Sequence, residues 1–223
     1  MNKLIIIEGL DGSGKSTQTE LLCNYLAEKS VDFRKIKLPD YEHDSSKLVK
    51  MYLSGDFGTN PNDVNAYAAS LLYAVDRFAS YNIYWKNDYL SGKVIISDRY
   101  ATSNAVHQMV KLDKTEWDKY LEWSDDLEYE KVGIPRPSIV IYLDMPIEVS
   151  QKLMSSRYKG DEAKKDVHEA NVAYLHQCAE TAAYTAKKQG WHAIRCSNGD
   201  KPRAIDDIQS EIRALVDKEL FDV

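Results

Sequence analysis

Short apolar runs alternate along the chain with longer amphipathic stretches. The runs Lys3–Glu8, Phe33–Leu38, Lys93–Ser97, Ile139–Leu143 and Trp191–Arg195 predict strands. Several are continuous rather than alternating, as expected for strands buried on both faces of a parallel sheet. Helical periodicity covers Lys15–Lys29, Ser46–Ser54, Val64–Leu90, Ser103–Val110, Glu148–Ser156, His168–Gln189 and Ile205–Leu220. Such alternation predicts an α/β three-layer sandwich, a five-stranded parallel sheet flanked by helices. The length of 223 residues fits one domain over 1–223. There is no internal repeat and no low-complexity tract.

Two stretches interrupt the pattern. Asp113–Gly133 carries Trp117, Trp123 and many acids, and reads as an extra helix packed on the sheet and ended by Pro135 and Pro137. The segment Arg157–Asp166 is charged and nearly free of apolar residues, the composition of a mobile lid between two helices.

Composition narrows the function. Hydrophobic residues make up 43% and charged residues 29%, the balance of a globular protein with a real core. A net charge of -6 is unsuited to gripping a nucleic-acid backbone, though a few placed cations can still hold a small polyanion in one cleft. Cys23, Cys178 and Cys196 form no CxxC pair, which argues against a disulfide framework or zinc site and points to a reducing, cytoplasmic setting. No apolar stretch approaches the roughly 20 residues of a membrane span.

The strongest chemical signal is Gly9-Leu10-Asp11-Gly12-Ser13-Gly14-Lys15-Ser16, which fits GxxxxGKS/T between a strand and a helix. Its glycines let successive N–H groups converge on a phosphate, Lys15 reaches the β and γ phosphates, and Ser16 offers a hydroxyl to magnesium. The helix N-terminus adds positive potential. The residues Gly9 through Thr17 are therefore the expected ATP contacts. Asp98 and Arg99 follow a strand whose end lies on the same sheet edge. Asp98 is then a candidate for orienting hydrated magnesium, and Arg99 for clamping a phosphate. Tyr73 and Arg77 share a helix face and suit a flat base, although a core tyrosine beside a solvated arginine gives the same pattern. Asn104 and His107 share the next helix, where either a site role or a structural one fits.

Taken together, IEGLDGSGKST, YAVDR, DRYATSNA and YLDMP resemble the thymidylate kinase family, in order and spacing, over essentially the whole chain. That resemblance implies a P-loop fold and ATP- and magnesium-dependent phosphorylation of dTMP to dTDP, in pyrimidine deoxynucleotide biosynthesis. It implies that Asp11 receives the sugar 3′-hydroxyl and reaches Arg99. Tyr73 would stack on thymine, Arg77 donate to O4, Asn104 read the same edge, and His107 sit beside the sugar 2′ position. Ser103 joins the acceptor side. Arg157 corresponds to the catalytic basic residue at the start of the lid that approaches ATP, and His168 to the helix after it, facing dTMP. A homodimer is implied, with Val64–Leu90 as its interface element.

Three departures stand out. After Leu38-Pro39-Asp40-Tyr41 no arginine follows until Arg77, so Lys47, Tyr41 or Arg99 would have to hold the acceptor phosphate. Gly12 and Ser13 occupy positions where some members carry arginine, which shifts the catalytic cation to the lid. The 113–133 stretch is longer than the family pattern. A deoxynucleoside kinase is the nearest rival, with Asp40 or Glu42 as base. A guanine-nucleotide switch would need NKxD, which is missing, and a purely structural protein leaves the phosphate loop unexplained.

Overall fold

The computed structural model describes residues 2–157 and 172–221, with 155–157 by backbone alone. Five strands, β1 (Leu4–Gly9), β2 (Phe33–Lys37), β3 (Val94–Asp98), β4 (Ile139–Asp144) and β5 (His192–Arg195), form one sheet in the order β2-β3-β1-β4-β5. Every pairing is parallel. All strand C-termini therefore share one edge, and the register sets Asp98 of β3 beside Ile7 of β1.

Side-chain alternation on these strands builds two cores. Leu4, Ile6, Ile95, Val140 and Tyr142 pack on one face with Tyr81, Trp85, Val106, Tyr174, Leu175 and Ala182. Ile5, Ile7, Ile96, Ile141 and Leu143 pack on the other against α1 (Lys15–Glu28) and α9 (Ile205–Phe221). The sheet is thus buried on both faces, which is why its sequences run continuously apolar.

The remaining helices are α2 (Lys47–Ser54), α3 (Ala66–Ser80), α4 (Lys86–Leu90), α5 (Thr102–His107), α6 (Trp117–Asp125), α7 (Ile147–Arg157) and α8 (Val172–Gln189). Asn65 caps α3 by accepting the Ala68 N–H at 2.9 Å. The expected helix Val64–Leu90 is interrupted by a π-helical turn at Tyr81–Trp85, which joins α3 to α4. A short antiparallel hairpin of β6 (Ser197–Asn198) and β7 (Lys201–Pro202) was not legible in the sequence pattern.

The 113–133 segment corrects the expectation in two ways. It packs on helices rather than on the sheet: Trp117, Tyr120 and Leu121 form a separate apolar cluster with Ala66 of α3 and Ala105 of α5. It also ends before the prolines. After α6 the chain widens into a π-helical segment, Asp126–Lys131, and Gly133 stops it at a left-handed φ of 73°.

Candidate active site

A cleft of about 340 Å³ opens along the C-terminal edge of β1, β2 and β3. The phosphate loop forms one end. Gly12 and Gly14 take φ values of 77° and 95°, which side-chain-bearing residues rarely adopt. A Cβ on Gly12 would also lie 2.8 Å from the Ser150 carbonyl oxygen, so the loop needs glycine there for space as well. Lys15 is buried and donates to the Leu10 carbonyl at 2.9 Å, with Asp11 at 3.6 Å. Burial and the nearby Arg99 charge lower its pKa, opposed by the carboxylates of Asp11, Asp98 and Glu8.

Ser16 Oγ donates to Asp98 Oδ2 at 2.9 Å, which joins the loop to the end of β3. The other carboxylate oxygen, Asp98 Oδ1, is buried without a hydrogen-bond partner. An acceptor left in that state is costly unless something else satisfies it. Among the described residues no cluster of three or more His, Cys, Asp or Glu side chains could hold a metal. One carboxylate and one hydroxyl nonetheless suit magnesium, which keeps waters and takes substrate phosphates as ligands.

Arg99 occupies the centre. Its backbone is left-handed, with a φ of 70°, which is uncommon outside glycine and marks a sharp turn after β3. The guanidinium is hydrogen-bonded to Asp11 and lies 3.6 Å from Glu8 and 3.0 Å from His107 Nε2. Because arginine only donates, Nε2 must accept, which puts the neutral ring's proton on Nδ1. Burial alone would raise the Asp11 carboxyl, but the Arg99 and Lys15 charges hold it well below the usual carboxylate range. Glu8, completely buried, accepts from Gly9 N at 2.9 Å, Thr102 at 2.7 Å and Ser103 at 2.8 Å. These bonds tie the loop to the start of α5.

The other end of the cleft is assembled from distant segments. Tyr73, Arg77, Asn104, His107 and Ser103 all line it, together with Tyr41. Arg77 is 3% exposed and makes a two-bond pair with the fully buried Glu128: its Nε donates at 3.0 Å and its Nη2 donates to the second oxygen. Burial pulls the guanidinium pKa down, and Glu128 more than reverses this. Asn104 Nδ2 also donates to Glu128, at 3.3 Å.

Several residues escape the sequence reading. Lys37, the last residue of β2 and register partner of Asp98, lines the cleft, whereas Lys47 does not. Asp76 holds the intervening loop by accepting Asp40 N–H at 2.8 Å and Ser45 Oγ–H at 2.6 Å. Its place in YAVDR was the available signal. Glu128 had none, being one acid among many. Asp40 and Glu42, the rival's candidate bases, are both absent from the cleft lining; at Asp40, His43 at 2.7 Å and Ser80 at 2.9 Å occupy the two oxygens. The Arg157 side chain, His168 and the lid at 158–166 lie outside the described residues.

Comparison with known proteins agrees with this geometry. A family model described as thymidylate kinase matches residues 7–208. The chain is 31% identical over 220 residues to a probable thymidylate kinase of Thermococcus onnurineus, covering 97% of this chain and 98% of the relative. It is 29% identical to the thymidylate kinase of Plasmodium falciparum, over 97% and 90% of the two chains. A solved thymidylate kinase structure from Candida albicans superposes with a TM-score of 0.69 at 21% identity, covering 97% of this chain and 92% of that one, which speaks to fold. A continuous phosphate loop, a parallel sheet of matching topology and family-wide similarity make this chain a member of the thymidylate kinase family, a nucleoside monophosphate kinase.

Proposed function

We propose that this protein, acting as one catalytic domain, transfers the γ-phosphoryl group of ATP to dTMP, with the residues of the cleft divided between the two substrates. The observation that carries this reading is the cleft itself. A phosphate-binding loop at one end and a hydrogen-bonding pair, Arg77 and Asn104, at the other enclose the cations Arg99 and Lys37. That spacing of groups suits a triphosphate, a monophosphate and a base in one line.

The attacking oxygen belongs to an ionised acceptor phosphate, so no strong base is needed. It forms a bond to the γ-phosphorus as the bond to the ADP oxygen breaks, through a loose transition state that rewards positioning and charge neutralisation. Lys15 leaves the Leu10 carbonyl and turns to the β and γ phosphates. Ser16 and Asp98 would hold magnesium, whose charge neutralises the phosphate oxygens. Arg99 and Lys37 hold the acceptor phosphate, with the Tyr41 hydroxyl beside them, in place of the missing arginine. Asp11, kept ionised by Arg99 and Lys15, receives the sugar 3′-hydroxyl. His107 and Ser103 steady Arg99 from α5. Tyr73 stacks on the base. Arg157 and His168 complete the lid side.

Leu71, Val75 and Phe78 form an apolar stripe on α3 that is 46%, 53% and 48% exposed, which supports a homodimer through this helix. Three free, buried cysteines suit the reducing cytoplasm, and no helix among the described residues is long and apolar enough to cross a membrane.

The test is ADP release with ATP and magnesium against a panel of nucleosides and monophosphates. The expected order is dTMP, then dUMP lower by about 10–200-fold for the lost methyl, with dCMP far below and thymidine negligible. Turnover of thymidine without turnover of dTMP would overturn the assignment.

A further inference from the structure

We infer that Glu128 is a positioning residue that fixes the donor–acceptor pattern facing the base, and thereby sets the preference for a pyrimidine that carries an N3–H. The inference rests on the reading that Arg77 and Asn104 face the acceptor base. Glu128 itself does not line the cleft. It acts behind two residues that do.

A carboxylate can only accept. Glu128 takes the Nε proton and one Nη2 proton of Arg77, which leaves the Nη1 protons and the second Nη2 proton as its remaining donors. It takes an amide proton of Asn104 at 3.3 Å, so the Asn104 amide must turn its nitrogen inward. The amide oxygen is then the atom left for the cleft. One buried acid thus sets a donor and an acceptor next to each other. Thymine and uracil present the complement, an O4 acceptor beside an N3–H donor. Cytosine presents the reverse at both positions, an amino donor beside an N3 acceptor.

Asparagine alone carries no such instruction. Its two ends are nearly equal in shape, and rotation of the amide by half a turn exchanges donor for acceptor. The orientation must come from a neighbour, and Glu128 is the neighbour. Its delivery is specific. Asp126 and Glu130, two residues to either side, are exposed, while Glu128 is fully buried. The π-helical segment Asp126–Lys131 that carries it lies within the 113–133 stretch. Pro135, just beyond, is tied back to the site by the Tyr100 hydroxyl at 2.8 Å. Wide turns of this kind occur often at functional positions.

Glu128→Gln supplies the discriminating variant. Its amide oxygen can keep the bond from Arg77 Nε, while an NH2 in place of Oε1, the atom shared by Arg77 Nη2 and Asn104, gives up the Nη2 bond and favours the flipped Asn104 amide. The ratio of kcat/KM for dTMP over dCMP should fall by about 10-fold or more. The KM for ATP should stay within about twofold, since ATP contacts lie at the other end of the cleft. Should loss of the charge beside Arg77 prevent folding, Glu128→Asp retains that charge and withdraws the carboxylate from the longer Asn104 contact. The ratio should then fall by a smaller factor. A ratio equal to wild type in a folded variant, with both acceptors slowed alike, overturns the role and leaves Glu128 as a structural counter-ion. A wild-type enzyme that fails to distinguish dTMP from dCMP instead overturns the underlying reading of the base pocket.

Discussion

The two ends of the cleft are built differently. At the phosphate-loop end, consecutive residues do most of the work: Lys15 bonds a carbonyl only five positions away. At the base end, Asp76 holds a loop 36 positions away, and Glu128 pairs with Arg77 across 51. Backbone N–H groups and glycine φ angles shape the first, while side-chain pairs between separate helices shape the second. A backbone site is written into a contiguous string of residues. A site made of side-chain pairs leaves only isolated polar letters, whose partners the fold alone reveals.

This contrast predicts different kinds of failure. Lys15→Ala should give the largest effect, because it removes a preorganised charge aimed at the transferred phosphoryl group. The kcat should fall by about 10²–10³, equivalent to roughly 3–4 kcal/mol, with an unchanged circular dichroism spectrum and little change in dTMP preference. Near-normal kcat in a folded variant would show that the phosphate loop is not the donor site.

The same contrast explains what the sequence made legible. The strands could be read because two-sided burial demands continuous apolar residues, and the loop because its chemistry demands glycine, lysine and serine at set spacing. Arg77 and Asn104 were recognisable as polar residues on helix faces, yet the residues alone favoured a solvated arginine. Glu128 was hidden among Glu116, Asp118, Glu122, Asp125, Asp126 and Glu130, because no periodicity marks which acid of a polar stretch turns inward. The 113–133 segment looked like a sheet-packed helix for a related reason: its tryptophans signal burial without saying against what. They pack on α3 and α5.

Lys37 offers an intermediate test. A search for an arginine after Pro39 passes over a lysine two positions before it, and only the parallel register with Asp98 brings that lysine to the cleft. If it shares the acceptor phosphate with Arg99, Lys37→Met should raise the KM for dTMP about 10-fold, in the range of one charge-assisted hydrogen bond. The KM for ATP should hardly move. An equal rise in both would place Lys37 on the donor side and erase the division between the two ends.

The smallest expected effect concerns Lys111, behind the base end. Its ammonium donates to the Tyr52 hydroxyl at 2.8 Å and to the Val64 carbonyl at 2.9 Å. Burial brings its pKa down to about 8 from 10.5. A neutral amine still has two N–H donors, enough for both bonds. In the unfolded chain Lys111 keeps its proton up to its ordinary pKa. Between about pH 8 and 10 the unfolded state therefore binds more protons at this residue, and its contribution to stability rises with pH. Other groups oppose this. Cys23 and Cys196 have thiols raised to about 11 and about 12, so the unfolded state loses those protons first, and stability falls with pH on their account. The total slope mixes both signs, and the difference between wild type and Lys111→Met isolates one. From pH 8 to 9.5, urea unfolding should show wild type gaining about 1–2 kcal/mol relative to the variant. A constant difference across that window would mean that Lys111 stays charged, with its third proton accommodated inside the acceptor end.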